Sequence, residues 1–265
     1  MTLLLGPPFA GVLIGLIGAP SVLVVDAATY VVAVVLLRLF VPSTKPLEAE
    51  DESRGLRAGL RWVRRDPLIR AWRACLIVGD VAFQAIFISL PVLVVARYGA
   101  DPKVVGFLFA GWGVGAVVGN VVAYRLTARA PDGLAWIARV ALLQALPLWV
   151  LAVEVHEAVA VAAVFASGLG NGLINPRLHA ITTLRIPPAL RPSVMSGLTS
   201  LHMVAMPVGI LGAGPLLDAF GVTSVFAATA AIQTLVTIGI AYAALAARKV
   251  SRVEAAASPP HSSFG

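Results

Sequence analysis

Long apolar runs alternate with short polar breaks along this chain, and the pattern recurs eight times. A helix that crosses a bilayer core needs about 20 predominantly apolar residues. The pattern predicts membrane-spanning helices near 3–19, 21–41, 72–96, 104–126, 134–153, 158–182, 196–217 and 222–247. No soluble core accounts for so many consecutive helices of buried type. The fold class is therefore an all-α polytopic membrane protein of about eight transmembrane helices. The breaks carry turn chemistry. They are Gly18-Ala19-Pro20, Tyr98-Gly99-Ala100-Asp101-Pro102, Ala130-Pro131-Asp132-Gly133, the stretch from Glu154 to Glu157, the run Arg185 to Pro192, and Asp218-Ala219-Phe220-Gly221.

One stretch departs from the pattern. Pro42, Pro46 and the acidic group Glu48, Glu50, Asp51 and Glu52 open a polar linker over 42–71. Within it Leu56, Leu60 and Val63 fall at i, i+4 and i+7 with arginines on the opposite face. That spacing predicts a basic amphipathic helix lying on the cytoplasmic leaflet and ending at Asp66-Pro67. It is the one plausible domain boundary. It separates 1–41 from 72–247, and 248–265 follows as a disordered cytoplasmic tail.

Composition agrees with the pattern: 59% of residues are hydrophobic, 12% are charged and the mean hydropathy is +0.91. The net charge of +7 raises the question of a nucleic-acid partner. The placement of the charges answers it. With the first span running from inside to outside, Arg97 and Lys103 alone lie outside, and the remaining basic residues fall in inside segments. This asymmetry is the positive-inside signature of a multi-pass protein of the bacterial inner membrane, with both termini cytoplasmic. The basic balance reports topology and anionic lipid rather than nucleic acid. The first run lacks a basic leader and is interrupted by Gly6, Pro7 and Pro8, which argues against a cleaved signal peptide. The single cysteine, Cys75, leaves no intramolecular disulfide and no Cys-based metal site.

Small residues recur at helix-packing spacing: Gly111, Gly115 and Gly119 in the fourth run, Gly168 and Gly172 in the sixth, Gly11 and Gly15 in the first. In lipid such faces let helix backbones approach closely. Ionisable groups inside a span are costly, which makes Asp80 the strongest functional residue. Gln84 shares its face at i+4. Asp80 is either a protonatable coupling carboxylate or the partner of a basic residue such as Arg73 or Arg139. Asn171 and Asn175, again i and i+4, either contact substrate or satisfy the backbone near Pro176. Asp26 reads as an interfacial carboxylate, Gln144 beside Pro147 as structural, and Gln233 as a peripheral packing contact. His179 and His202 sit near inner helix ends and His156 in an outside loop. None has a second His or Cys at ligand spacing, so no metal is expected. No zinc-protease, nucleophile-elbow or Walker sequence occurs, so neither an enzyme nor an ATP-driven pump is indicated, and no cofactor is called for.

Three stretches together resemble the major facilitator superfamily, in particular its drug- and siderophore-exporter branch. Gly6-Pro7-Pro8-Phe9-Ala10-Gly11 resembles the antiporter signature of the fifth helix, with Ala10 in place of a glycine. Gly59-Leu60-Arg61-Trp62-Val63 and Asp66-Pro67-Leu68-Ile69-Arg70 look like the linker between the two halves. Gly168-Leu169-Gly170-Asn171-Gly172-Leu173-Ile174-Asn175-Pro176, running on to Val194-Met195-Ser196-Gly197 and Gly214-Pro215-Leu216, is similar to helices ten and eleven.

The resemblance implies twelve helices in two halves, with substrate bound between them near midplane. On that template the present spans match helices five to twelve. Residues 1–41 are the last two helices of the N-terminal half, and 72–247 are the six-helix C-terminal half. The first four helices are absent, which implies a misassigned start, a truncated gene or a separately encoded partner half. The weaker gating loop falls at 119–129. There Arg125 and Arg129 keep the basic character while Asn120 and Ala123 depart from the pattern. The implied function is proton-coupled export of small amphipathic molecules by alternating access. Asp80 would couple protons, and Gln84, Asn171 and Asn175 would line the cavity. The alternative is a non-transporting remnant or a half-transporter.

Overall fold

The computed structural model describes residues 19–40, 61–126 and 132–257, and every element in them is helical. In chain order they are α1 (Ala19–Phe40), α2 (Pro67–Arg97), α3 (Pro102–Leu126), α4 (Gly133–Ala145), α5 (Glu157–Arg185) and α6 (Arg191–Ala257). α4 continues as a 3₁₀ turn, Leu146–Ala152. Five stretches between Pro67 and Val250 are long and apolar enough to cross a membrane, and the last, at 60 residues, has length for two crossings.

Local sequence sets the helix ends. The Asp66 carboxylate accepts from the backbone N–H groups of Leu68 (2.9 Å) and Ile69 (3.0 Å), with Pro67 at the first helical position. Asp132 caps α4 through Ala135 N–H, and the His156 imidazole caps α5 through Ala158 N–H. α2 thus begins at Pro67, five residues before the expected 72. The five-residue helical stretch ahead of it, Arg61–Arg65, keeps Arg61, Arg64 and Arg65 exposed. Its apolar side does not simply lie on lipid: Val63 is buried against Leu68, Ile69 and Ile186, and Trp62 packs beside them. An Asp66→Ala substitution removes this cap and the 3.0 Å ion pair to Arg185. We expect a loss of about 1 kcal/mol, read as a lower midpoint of thermal unfolding in detergent. An unchanged midpoint would count against the cap.

Other departures from the sequence reading have simple causes. The fifth run is not one continuous α-helix, because Pro147 lacks the N–H that the α ladder needs and the chain tightens to 3₁₀. The seventh and eighth runs form one element interrupted at Gly221 alone, where φ is 74°. That is the left-handed region glycine tolerates. The chain reverses there. On the first arm His202 meets Asp80, and on the second Gln233 meets Gly79 and Ile240 accepts from the Trp72 indole at 3.2 Å. Both arms therefore pack along α2. The tail expected to be disordered from 248 stays helical to Ala257, consistent with its alanines. Residues 258–265 lie outside the described part.

α3 and α5 touch backbone to backbone. A Cβ on Gly115 or Gly119 would collide with the carbonyls of Phe165 or Leu169, and one on Gly168 or Gly172 with those of Trp112 or Ala116. The predicted small-residue face is a helix–helix seam. Gly11 and Gly15 lie outside the described residues.

Two apolar clusters hold the bundle. One gathers Ile69, Trp72, Ile137, Leu178, Ile186 and Ile240 near the end rich in arginines. The other gathers Leu90, Leu93, Leu108, Leu151 and Phe226 toward the opposite end. At the basic end Arg177 stacks over Trp136 (4.6 Å) and donates to Leu126 O, Arg191 donates to Thr183 O and Ile186 O, and Arg248 pairs with Asp132. At the far end Arg97 donates to Leu151 O, Val153 O and Thr223 Oγ1, and Tyr98 Oη donates to Val155 O. Burial pushes the Tyr98 hydroxyl above its usual range, Arg97 works against this and the Glu157 carboxylate adds to it. Large apolar side chains such as Leu211, Leu235 and Val95 face outward, as a lipid surface requires. Every described side chain of α1 is exposed.

Candidate functional site

Between the two clusters lies a cavity of about 600 Å³ whose wall is drawn from α2, α3, α4, α5 and both arms of α6. A smaller chamber of about 250 Å³ adjoins it, lined by Arg73, His179 and Thr199 among others. Asp80, Asn175 and His202 border both, so they stand at the junction.

Asp80 Oδ2 lies 2.7 Å from His202 Nδ1. The pair joins α2 to the first arm of α6, and both side chains keep some exposure. Neither Arg73 nor Arg139 takes the partner position considered from the sequence. Arg73 is near enough for its charge to bear on Asp80, but the direct contact belongs to His202. His202 is therefore not near a helix end. α6 begins at Arg191 rather than 196, which places His202 three turns into the helix. This is the candidate site residue that the sequence reading placed at a helix end. The available signal was the one used for Asp80, an ionisable group inside an apolar run.

Amides line the rest of the polar wall. Gln84 reaches the cavity one turn after Asp80, as its spacing predicts. Asn171 and Asn175 both line it and bond to each other, Asn175 Nδ2 donating to Asn171 Oδ1 at 2.8 Å. Gln144 borders the cavity too, while its backbone carbonyl accepts from Ser167 Oγ. Gln233, expected at the periphery, is 2% exposed, lines the cavity and donates from Nε2 to Gly79 O at 2.7 Å. The second arm of α6 is apolar on most sides, so its phase could not be read from the sequence. Phe83, Phe87 and Trp112 form an aromatic wall, with centroids 4.5 Å apart for the two phenylalanines and 5.3 Å from each to the indole.

The remaining predicted residues stand apart. Arg125 is exposed near the C-terminal end of α3. Arg129 and the antiporter-like Gly6, Pro7, Ala10 and Gly11 lie outside the described residues. Asp26 is part of α1, where its carbonyl accepts from Thr29 Oγ1. His156 is a helix cap. His179 lines the smaller chamber. Among the described residues, no three His, Cys, Asp or Glu side chains come together as a metal would need.

A cavity at mid-bundle, walled by long apolar helices and holding one carboxylate–imidazole pair, is the architecture of a membrane carrier. The family model for transmembrane secretion effectors, of the major facilitator type, matches residues 2–264. The chain belongs to this family. It is a multi-pass membrane protein and a transporter of the major facilitator superfamily. No curated protein and no solved structure matches it. The described half-wall, aromatic on one side and amide-lined on the other, suits a molecule with both apolar and polar surface.

Proposed function

We propose that this transporter exports small amphipathic molecules in exchange for protons, with the Asp80–His202 pair as the coupling element. The observation that carries the reading is the 2.7 Å contact between Asp80 Oδ2 and His202 Nδ1 at the junction of the two chambers. A carboxylate and an imidazole can each gain or lose a proton, and here they also hold two helices together. With Asp80 ionised and His202 protonated, α2 and the first arm of α6 are drawn together by charge. A proton added to Asp80 leaves an imidazolium beside a neutral acid, the attraction between opposite charges is lost, and the link loosens. A proton and a cargo molecule that stabilise different arrangements of the bundle drive each other across the membrane by linkage.

The test is transport into proteoliposomes under an imposed pH gradient, wild type against Asp80→Asn. We expect the variant to bind cargo and to lose gradient-driven accumulation. Accumulation in the variant that tracks the gradient as wild type does would overturn the role of Asp80.

The proposed membrane is the bacterial inner membrane, with both termini cytoplasmic. The support is the basic end of the bundle, against which the far end carries Arg97 and Lys103 among the described residues. With Cys75 removed, a cysteine placed at Ala100 is expected to react with a membrane-impermeant maleimide in intact cells. One placed at Pro188 is expected to react only after lysis. The reverse pattern would invert the topology.

A second reading has one observation behind it. α1 buries none of its described side chains and adds none to the cavity wall, with Tyr30 at 68% and Leu39 at 72% exposure. In that reading the chain works only beside a partner half. Gradient-driven transport by a monomeric chain would exclude it.

A further inference from the structure

The smaller chamber holds two basic groups, Arg73 and His179, that proton coupling leaves unused. Arg73 enters from α2 and His179 from α5, facing the Asp80–His202 pair. Register fixes the chamber's place along the bundle. Arg73 lies within two turns of the start of α2, His179 within two turns of the end of α5, and Met195 within two turns of the start of α6. The chamber therefore sits between the main cavity and the basic end, where Arg70, Arg185 and Arg191 also stand.

Charge does not balance there. A guanidinium stays charged at any pH a protein meets. One carboxylate lines the chamber, and Asp80 makes its direct contact with His202. The charge of Arg73 bears on Asp80 and on His179, so the guanidinium stands within electrostatic reach of groups on both α2 and α5. Among the described residues nothing accepts a hydrogen bond from it or pairs with it closely. Its Nε is sealed, so no occupant reaches that atom. The two Nη nitrogens are also unpartnered but are not sealed, and they are the donors left for an occupant. An unpaired charge inside a span is costly, and a bound anion offsets that cost.

Size and lining narrow the anion. The chamber, at about 250 Å³, has room for more than a monatomic ion. Leu76, Leu178, Met195 and Leu198 give it an apolar wall. The planar fork of a guanidinium matches the two oxygens of a carboxylate. His179 is exposed and has a ring N–H to offer as a further donor.

The geometry points to a binding site for a small organic carboxylate, held at its oxygens by the Nη nitrogens of Arg73 and at its apolar part by Leu76, Leu178 and Leu198. The positive field of the basic end raises the local concentration of such acids beside the chamber. This site goes beyond the transport reading and stands without it, because it concerns equilibrium occupancy and no proton step.

The test uses benzoate, with benzamide as its uncharged isostere. Binding is read by saturation-transfer difference NMR on the purified full chain in phosphatidylcholine nanodiscs, without a gradient. The lipid carries no net charge to compete. We expect saturable binding of benzoate, about tenfold tighter than benzamide. Arg73→Gln is expected to abolish that preference, and Arg70→Gln to keep it, since Arg70 is exposed and bonds to Arg64 O. A second measurement locates the site on the unaltered chain, so it decides even if Arg73→Gln folds poorly. Phenylglyoxal modifies arginine side chains, and mass spectrometry reads each one separately. Benzoate is expected to slow the modification of Arg73 and to leave that of Arg70 unchanged, and benzamide to protect neither. Equal affinity for benzoate and benzamide, no saturable binding of benzoate, or an Arg73 that benzoate does not protect would each overturn the inference. Gradient-driven transport by Asp80→Asn is read separately, and neither result there bears on this site.

Discussion

A His202→Gln protein is expected to bind its cargo and to fail to concentrate it. The substitution is chosen to separate shape from proton exchange. A glutamine amide can still donate to Asp80 Oδ2, so the link between α2 and the first arm of α6 keeps a hydrogen bond where the imidazole now makes one. The amide cannot act as an acid or a base here, whereas an imidazole has one nitrogen to give a proton and one to take it. Positioned proton transfer is commonly worth about a hundredfold or more in rate, and a loss of that order in gradient-driven accumulation is the expected size. Cargo affinity measured without a gradient is expected to change by less than about threefold, because the hydrogen bond survives. The double variant Asp80→Asn, His202→Gln sharpens the argument. Groups that act as one unit are non-additive, so the double variant is expected to be no worse than either single one. Losses that multiply would show two independent proton sites and would end the case for a coupling pair.

The helices themselves were legible because length and composition decide them: an apolar run of 20 residues has few alternatives in a bilayer. Their starts were partly legible, since Asp66-Pro67 and Asp132-Gly133 are capping sequences and both carboxylates act as caps. Rotation about each helix axis was not legible. A helix that is apolar on most sides carries no stripe to fix its phase, which is why Gln233 was placed at the periphery and is found in the wall. Depth along the axis failed for a related reason. A start at 196 rather than Arg191 leaves His202 near an end, and a start at 72 rather than Pro67 does the same for Arg73. Errors of five residues are more than one helical turn, enough to hide a cavity residue. Asp80 and Gln84 were found because a carboxylate deep in an apolar run stands out whatever the exact boundary. The pairing of Asn171 with Asn175 followed from the i, i+4 spacing, but their common exposure to the cavity needed the fold.

Gly172→Leu is expected to prevent the chain from accumulating as a folded species, and Gly172→Ala to destabilise it by about 1–3 kcal/mol. The atoms that a Cβ at Gly172 would meet are the carbonyl of Ala116 and the amide nitrogen of Asn120, both backbone. Flexible side chains can swing away from such a clash, and helix backbones can relieve it only by moving apart as bodies. The same holds one turn earlier, where Gly168 faces the carbonyl of Trp112. Separating α3 from α5 would therefore do more than loosen a contact. It would shift Trp112 relative to Phe83 and Phe87, and Asn171 and Asn175 relative to Asp80, so the cavity wall would lose its registration. Gly212 supplies the control. It lies in the first arm of α6 with nothing within 4 Å of a Cβ built on it. Gly212→Ala is expected to be neutral or to stabilise by about 0.5 kcal/mol through helix propensity. The measurements are the monodisperse fraction on size exclusion and the midpoint of thermal unfolding in detergent. A wild-type midpoint for Gly172→Ala would mean that the seam yields, and that backbone contact between α3 and α5 does not set the spacing of the bundle.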